Sequence, residues 1–239
     1  DVDRMGCVSS DGKEINRNRL VALASAIALQ NNEGGTIVTD SLTSDGLREF
    51  IEKKLGGKQL RYKRGYKNVI DKALELNEDG VNCPLAIETS GHAALRENYF
   101  LDDGAYLAAK IISLAALLKK QGKDINSLIS ELKEPAESVE IRIPIKENDF
   151  KTYGQNVIDA LALFAQENPA WEIEKENYEG IRVNFSGGWF LIRLSVHDPI
   201  LPLNIECEEK GLSAKVASQI KAFAQKFEKL DLSNFDKVL

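Results

Sequence analysis

Along the first two-thirds of the chain, short apolar runs alternate with helical stripes. Residues 36–39 (TIVT) read as a buried strand, and Thr43 or Ser44 stands where a helix over Asp45–Leu55 needs its N-cap. Gly56-Gly57 closes that helix. Residues 59–63 (QLRYK) predict a second strand. Tyr66–Leu76 predicts a second helix, with Val69, Ile70, Ala73 and Leu74 on one stripe. A third strand at residues 84–88 (PLAIE) runs straight into a polar turn, and Asp102 or Asp103 caps a long apolar helix that reaches about Lys119. Strands and helices alternating at these lengths imply βαβ units and a three-layer α/β domain with a mixed, mostly parallel sheet. Such sheets bind ligands beyond the carboxyl ends of their strands.

The pattern changes after Lys133–Ser138, a charged stretch that contains Pro135. A strand at Val139–Ile145 leads into an amphipathic helix at Phe150–Gln166. Three strands follow near residues 171–177, 181–185 and 188–194, then a further one at Leu203–Glu208 and a last helix over Ser213–Leu230. Strands in succession bracketed by helices indicate a smaller α+β domain with an antiparallel sheet. Alternation makes Trp189 and Phe190 core aromatics and not a stacking platform.

Composition narrows the class. With 43% hydrophobic and 28% charged residues, the chain has the balance of a soluble globular protein. Its most apolar run, residues 20–29 (LVALASAIAL), falls short of the roughly 18 residues a membrane span needs. A net charge of −6 disfavours non-specific binding to nucleic acid. Cys7, Cys83 and Cys207 are odd in number and far apart, which reads as reduced thiols in a cytoplasmic protein. The opening Asp-Val-Asp-Arg shows no signal peptide, and its lack of Met reads as a processed or truncated chain.

Candidate chemistry concentrates in four places. Both histidines of the chain sit in polar segments that follow strands. Glu88-Thr89-Ser90-Gly91-His92 gathers a carboxylate, two hydroxyls, a glycine and an imidazole, a set that can fix several hydroxyls of one ligand. Arg193 to Pro199 offers a guanidinium, a hydroxyl at Ser195 and the His197 imidazole to an anion. Together they suggest a sugar carrying a phosphate, although either turn alone could simply satisfy itself. Lys58, Arg61, Lys63, Arg64 and Lys67 form a basic cluster that is either a solvated face or part of the same pocket as the Ser-Gly-His turn. Asp1 and Asp3 could be terminal charges or metal ligands, and Asp102 and Asp103 read as helix caps.

In order and spacing these segments resemble the carboxyl-terminal half of an α-D-phosphohexomutase, the phosphoglucomutase/phosphomannomutase family. Asp1-Val2-Asp3-Arg4 resembles the end of the family's magnesium loop, and Gly65-Tyr66-Lys67 its third-domain phosphosugar segment. Glu88 to His92 is similar to the sugar-recognition loop Glu-x-Ser-Gly-His. Arg193 to Pro199 is similar to the fourth-domain phosphate loop Arg-Pro-Ser-x-Thr-x-Pro. Leu194 replaces the usual Pro, His197 stands where Thr is usual, and Tyr66 sits where some members carry His.

The resemblance implies the end of a second domain over residues 1–14, a third domain over 15–135, and a TATA-binding-protein-like fourth domain over 139–239. It implies an isomerase that moves phosphate intramolecularly between O1 and O6 of glucose or mannose. The reaction would run through a phosphoserine on amino-terminal domains of the same parent and a hexose 1,6-bisphosphate that also acts as activator. By that resemblance Asp1 and Asp3 would hold Mg²⁺. His92 and Arg4 would be catalytic. Glu88, Ser90, Lys63, Arg64, Tyr66 and Lys67 would bind the sugar phosphate, while Arg193, Ser195 and His197 would grip a phosphate. An alternative in the same superfamily is a mutase acting on phosphoglucosamine or a phosphopentose. The rivals from a different class are a non-catalytic sugar-phosphate sensor and a hexose bisphosphate synthase.

Overall fold

The computed structural model describes residues 3–239, which divide between Glu134 and Pro135 into two compact units. In the first unit, β1 (Cys7–Val8) and β2 (Glu14–Ile15) make a small antiparallel ribbon ahead of α1 (Asn18–Leu29). The sheet follows with β3 (Thr36–Asp40), β4 (Lys58–Tyr62), β5 (Leu85–Ile87) and β6 (Ala93–Leu95). Between them run α2 (Asp45–Glu49) and α3 (Tyr66–Glu78), and α4 (Gly104–Lys120) comes after the sheet. Strand order is β4-β3-β5-β6. The first three strands are parallel, and β6 pairs antiparallel with β5.

Both faces of β3 are covered, as a strand buried at every position requires. Ile37 packs with α1 and α4 residues such as Leu23 and Leu107, whereas Val38 packs with Val69 and Ala73 of α3. The α3 stripe differs from the expected one in one place, because Leu74 is exposed and Leu76 packs inward instead. Ser44 caps α2 by accepting the Leu47 N–H at 3.0 Å. The expected Asp45–Leu55 helix is α-helical only to Glu49 and continues as a π-helical turn over Phe50–Lys54. That turn closes with the Leu55 N–H on the Phe50 carbonyl at 3.0 Å. The hydrophobic pattern predicts neither α1 nor β6. Residues 20–29 are buried on every side of α1 and so carry no periodicity, and β6 is only three small or apolar residues.

The second unit contains β7 (Glu137–Pro144), α5 (Phe150–Glu167), β8 (Trp171–Ile173), β9 (Ile181–Phe185), β10 (Gly188–Ile192), β11 (Ile200–Cys207) and α6 (Leu212–Ala224). Its sheet is antiparallel throughout, in the order β7-β11-β10-β9-β8. Leu161 of α5 and Ile220 of α6 join Val183, Phe190 and Leu203 in one core. Trp189, one residue from Phe190, points to the opposite face and is buried beneath Arg182, whose Cζ lies 3.6 Å from the ring centroid. The last helix stops at Ala224 and not at Leu230. There the chain turns back so that Leu230 pairs with Ile145, and the Lys229 carbonyl accepts the Lys146 N–H at 2.7 Å. Among the described residues, no helix is long and apolar enough to cross a membrane.

Candidate functional site

Because β3, β4 and β5 are parallel, the segments that follow them emerge at one edge of the sheet. The turn after β5 is built by backbone bonds, with the Gly91 N–H on the Glu88 carbonyl at 3.0 Å and the Glu88 N–H on the His92 carbonyl at 2.9 Å. Gly91 has φ +98°, and a Cβ there would lie 2.4 Å from the Met5 carbonyl oxygen. Only glycine tolerates both conditions, and it lets the amino-terminal segment lie against the turn. The Met5 N–H bonds the Gly91 carbonyl at 3.0 Å, and Arg4 bridges His92 in antiparallel fashion. Farther along, the Gly104 N–H holds the Asp3 carbonyl at 3.0 Å.

Glu88 is only 4% exposed. Its Oε1 accepts the Gly65 N–H at 2.7 Å, which ties the segment after β4 to the turn after β5, and its Oε2 accepts the Ser90 hydroxyl at 3.3 Å. A carboxylate with one oxygen anchored and the other beside a hydroxyl is preorganised to accept from a ligand hydroxyl. His92 is buried, with Nδ1 at 2.7 Å from Asp102 Oδ2. A carboxylate there accepts, so Nδ1 carries the proton and Nε2 is the nitrogen free to exchange one. The Tyr66 ring stacks on the imidazole at 5.1 Å between centroids. Asp103, and not Asp102, caps α4 by accepting the Tyr106 N–H at 2.9 Å. Reading both aspartates as caps therefore fails for Asp102, which is committed to His92.

Asp40, at the end of β3, belongs to none of the polar segments the sequence singles out and is completely buried. Its Oδ2 accepts the Thr89 N–H at 2.9 Å and the Thr89 hydroxyl at 2.6 Å, and its Oδ1 accepts the Leu42 N–H at 3.0 Å. Burial pushes its carboxyl up to about 6; the Thr89 hydrogen bonds and Arg64 oppose that shift, and Glu88 adds to it. The folded protein holds this proton to higher pH than the ordinary value of 3.8, so the group's contribution to stability falls as pH rises from 3.8 to about 6. The Thr89 amide resonance is expected to titrate with a midpoint near 6 in a ¹H–¹⁵N pH series. A flat Thr89 resonance between pH 5 and 7.5 would show that Asp40 keeps an ordinary pKa.

The basic cluster does not act as one body. Arg61 is buried, with Nη2 at 2.6 Å from Asp45 Oδ1 and 2.9 Å from the Ser44 carbonyl, so it braces the start of α2. Lys63 and Lys67 are exposed and Arg64 is half-buried, which leaves these three around the Gly65 turn. Lys63 Nζ lies 5.6 Å from the Tyr62 ring centroid.

In the second unit, the Arg193 segment is the loop between β10 and β11. The Arg193 N–H bonds the Pro202 carbonyl at 3.2 Å, the Ser195 N–H bonds the Ile200 carbonyl at 3.1 Å, and Ser195 Oγ accepts the Asp198 N–H at 3.2 Å. Leu194 turns inward onto the core, where a Cβ on Gly154 would meet its Cδ1 at 2.5 Å. Leucine at this position is therefore a packing residue. His197 is exposed at the loop tip.

Magnesium prefers hard oxygen ligands. Asp3 brings one carboxylate to the edge, and Asp1, the other residue expected there, lies outside the described residues. The ligand atoms of Asp3, His92 and Asp102 all lie within 4.8 Å of one another. Asp102 Oδ2 is held on His92, which leaves Asp3 and the buried, unpartnered Asp102 Oδ1 as the carboxylate oxygens of this group that fit a hard cation.

Residues 16–135 match the family model described as phosphoglucomutase/phosphomannomutase, alpha/beta/alpha domain III. A phosphoglucomutase from Neisseria meningitidis is 30% identical over 223 residues, which covers 93% of this chain and 45% of the relative. A phosphomannomutase/phosphoglucomutase from Pseudomonas putida is 30% identical over 87% of this chain and 42% of its own length. Among solved structures, a phosphoglucomutase/phosphomannomutase family protein from Burkholderia thailandensis superposes with a TM-score of 0.76 at 27% identity, covering 95% of this chain and 45% of that one. The chain thus spans a little under half the length of the relatives it matches.

Proposed function

This chain belongs to the phosphoglucomutase/phosphomannomutase family, and we propose that it is the carboxyl-terminal part of a mutase interconverting hexose 1-phosphate and hexose 6-phosphate. Residues 1–14 would end the second domain, 15–135 would form the sugar-recognition domain, and 139–239 the phosphate-binding domain. The observation that carries this reading is the buried Glu88, anchored by the Gly65 amide and paired with Ser90, one turn from a His92 whose Nδ1 is fixed on Asp102. The names of the relatives support glucose and mannose phosphates as substrates.

Phosphoryl transfer asks a protein chiefly for positioning and charge neutralisation. Glu88 and Ser90 bind ring hydroxyls whichever end of the sugar is presented. Lys63, Arg64 and Lys67 supply positive field to an anionic ligand, and Tyr66 steadies the imidazole. Arg193 grips a phosphate with its fork of donors, aided by Ser195 and His197. His92 Nε2 exchanges a proton with the reacting sugar hydroxyl, and Arg4 faces the phosphoryl group in transit. Asp3, with Asp1, would hold Mg²⁺, which when bound neutralises charge at the phosphoserine. That phosphoserine belongs to the amino-terminal domains, and hexose 1,6-bisphosphate serves as both intermediate and activator. The three free cysteines support a reducing, cytoplasmic setting.

Calorimetric titration of the full-length protein tests the reading. Glucose 1-phosphate and glucose 6-phosphate should both bind, and Glu88→Gln should weaken both by about tenfold or more, the cost of a hydrogen bond to a charged group. Loss for one isomer alone, or no binding of either by the unaltered protein, would contradict a single loop that serves both orientations.

A further inference from the structure

We propose that Asp40 is a positioning residue that fixes the sugar-recognition loop through Thr89, an inference that rests on the mutase reading above. Asp40 touches no ligand-facing group directly, being wholly buried at the end of the central strand β3. Its two oxygens receive three donors, two from Thr89 and one from the Leu42 amide. Thr89 lies between Glu88 and Ser90, so holding its amide and hydroxyl sets the backbone from which both side chains project. Gly65 meanwhile anchors the Glu88 carboxylate itself. The loop therefore has two anchors of different kind. The amide of Gly65 holds the side chain, and the carboxylate of Asp40 holds the main chain.

A carboxylate is the group this place requires. All three partners are donors, and an ionised aspartate is acceptor-only on both oxygens. An asparagine would turn an NH₂ toward either the Leu42 amide or the paired donors of Thr89, leaving at least one buried donor without an acceptor. A simple sheet-end brace would not need a charge buried this deeply, because burying one is costly unless it is matched. Arg64, from the basic segment, supplies part of the match by its field, and Glu88 acts on Asp40 in the opposite sense. Strand end, basic segment and sugar loop are thus linked through one side chain.

The test uses the full-length protein and reads kcat, KM for glucose 1-phosphate and Tm in four variants. Asp40→Asn should raise KM by about tenfold, the scale of losing hydrogen bonds to a charged group. Thr89→Val, which removes only the hydroxyl donor, should raise KM by less, and Thr89→Ser should restore most of that loss. The double variant Asp40→Asn/Thr89→Val should be no worse in KM than Asp40→Asn, because both act through one contact. A fall in Tm with parental KM would reduce Asp40 to a structural brace and overturn the proposal, as would KM effects that multiply in the double variant. If Asp40→Asn does not fold, the Thr89→Val and Thr89→Ser pair decides, and parental KM in both overturns it. Absence of turnover in the unaltered protein overturns the mutase reading and this inference with it. Turnover by that protein with unaltered KM in the variants overturns Asp40's role alone.

Discussion

Replacing His92 with Ala should lower kcat of the full-length protein by about 10²–10⁴-fold with little change in KM, the usual range for removing a general acid–base group. The geometry isolates the imidazole from the turn that carries it. The bonds that shape the turn use the His92 carbonyl and the Gly91 and Glu88 backbone, none of which the substitution removes. What disappears is a ring pinned on one edge by Asp102 at 2.7 Å and on one face by Tyr66 at 5.1 Å, with Nε2 left as the exchanging nitrogen. Because sugar contacts are assigned to Glu88 and Ser90, binding should survive. Steady-state kinetics separate the two effects. A tenfold rise in KM with kcat preserved would make His92 a binding residue, and unchanged kinetics would make it a satisfied turn histidine.

The second large effect is on stability. Phe190→Ala should destabilise the carboxyl-terminal unit by about 3–5 kcal/mol, as large-to-small changes at buried aromatics do. Phe190 is fully buried on the middle strand of the antiparallel sheet, with the Trp171 ring 4.9 Å away in an edge-on arrangement and Phe185 at 6.5 Å. Neighbours drawn from three strands and two helices cannot all move in to fill the space. Both tryptophans of the chain, Trp171 and Trp189, lie in this unit, so fluorescence-detected urea unfolding reports it selectively. A loss below about 1 kcal/mol would mean that the core collapses around the deletion far more readily than its packing suggests.

Most of the architecture is legible because its strands and amphipathic helices carry clear periods, and Ser44, Asp103 and Asp149 cap α2, α4 and α5. The change from alternating βα units to consecutive strands marks two different sheets in the sequence itself. Elements without a period escaped. Helix α1 is apolar on all sides, and β6 is three residues long. The end of α6 departs from the helical pattern for a different reason. Residues 225–230 keep a helical pattern, yet pairing of Leu230 with Ile145 draws them out of the helix. At the site, the sugar loop was readable as a polar cluster directly after an apolar strand. Its supports were not. Asp40 and Asp102 act through contacts 49 and 10 residues away in sequence, and no local pattern distinguishes such a residue from a strand-end charge or a cap. One signal was present for Asp40, an acid that terminates a strand buried at every position. Arg61 shows the converse error, since sequence proximity grouped it with surface bases while strand alternation turned it into the interior.

The most direct measurement of the central claim is turnover of glucose 1-phosphate by the full-length protein with Mg²⁺ and a trace of glucose 1,6-bisphosphate, with mannose 1-phosphate run in parallel. The account predicts sustained formation of the 6-phosphate from at least one of the two sugars, and the ratio of rates assigns the preferred hexose. Binding of both sugars with no conversion of either would contradict it and leave a sugar-phosphate sensor in its place.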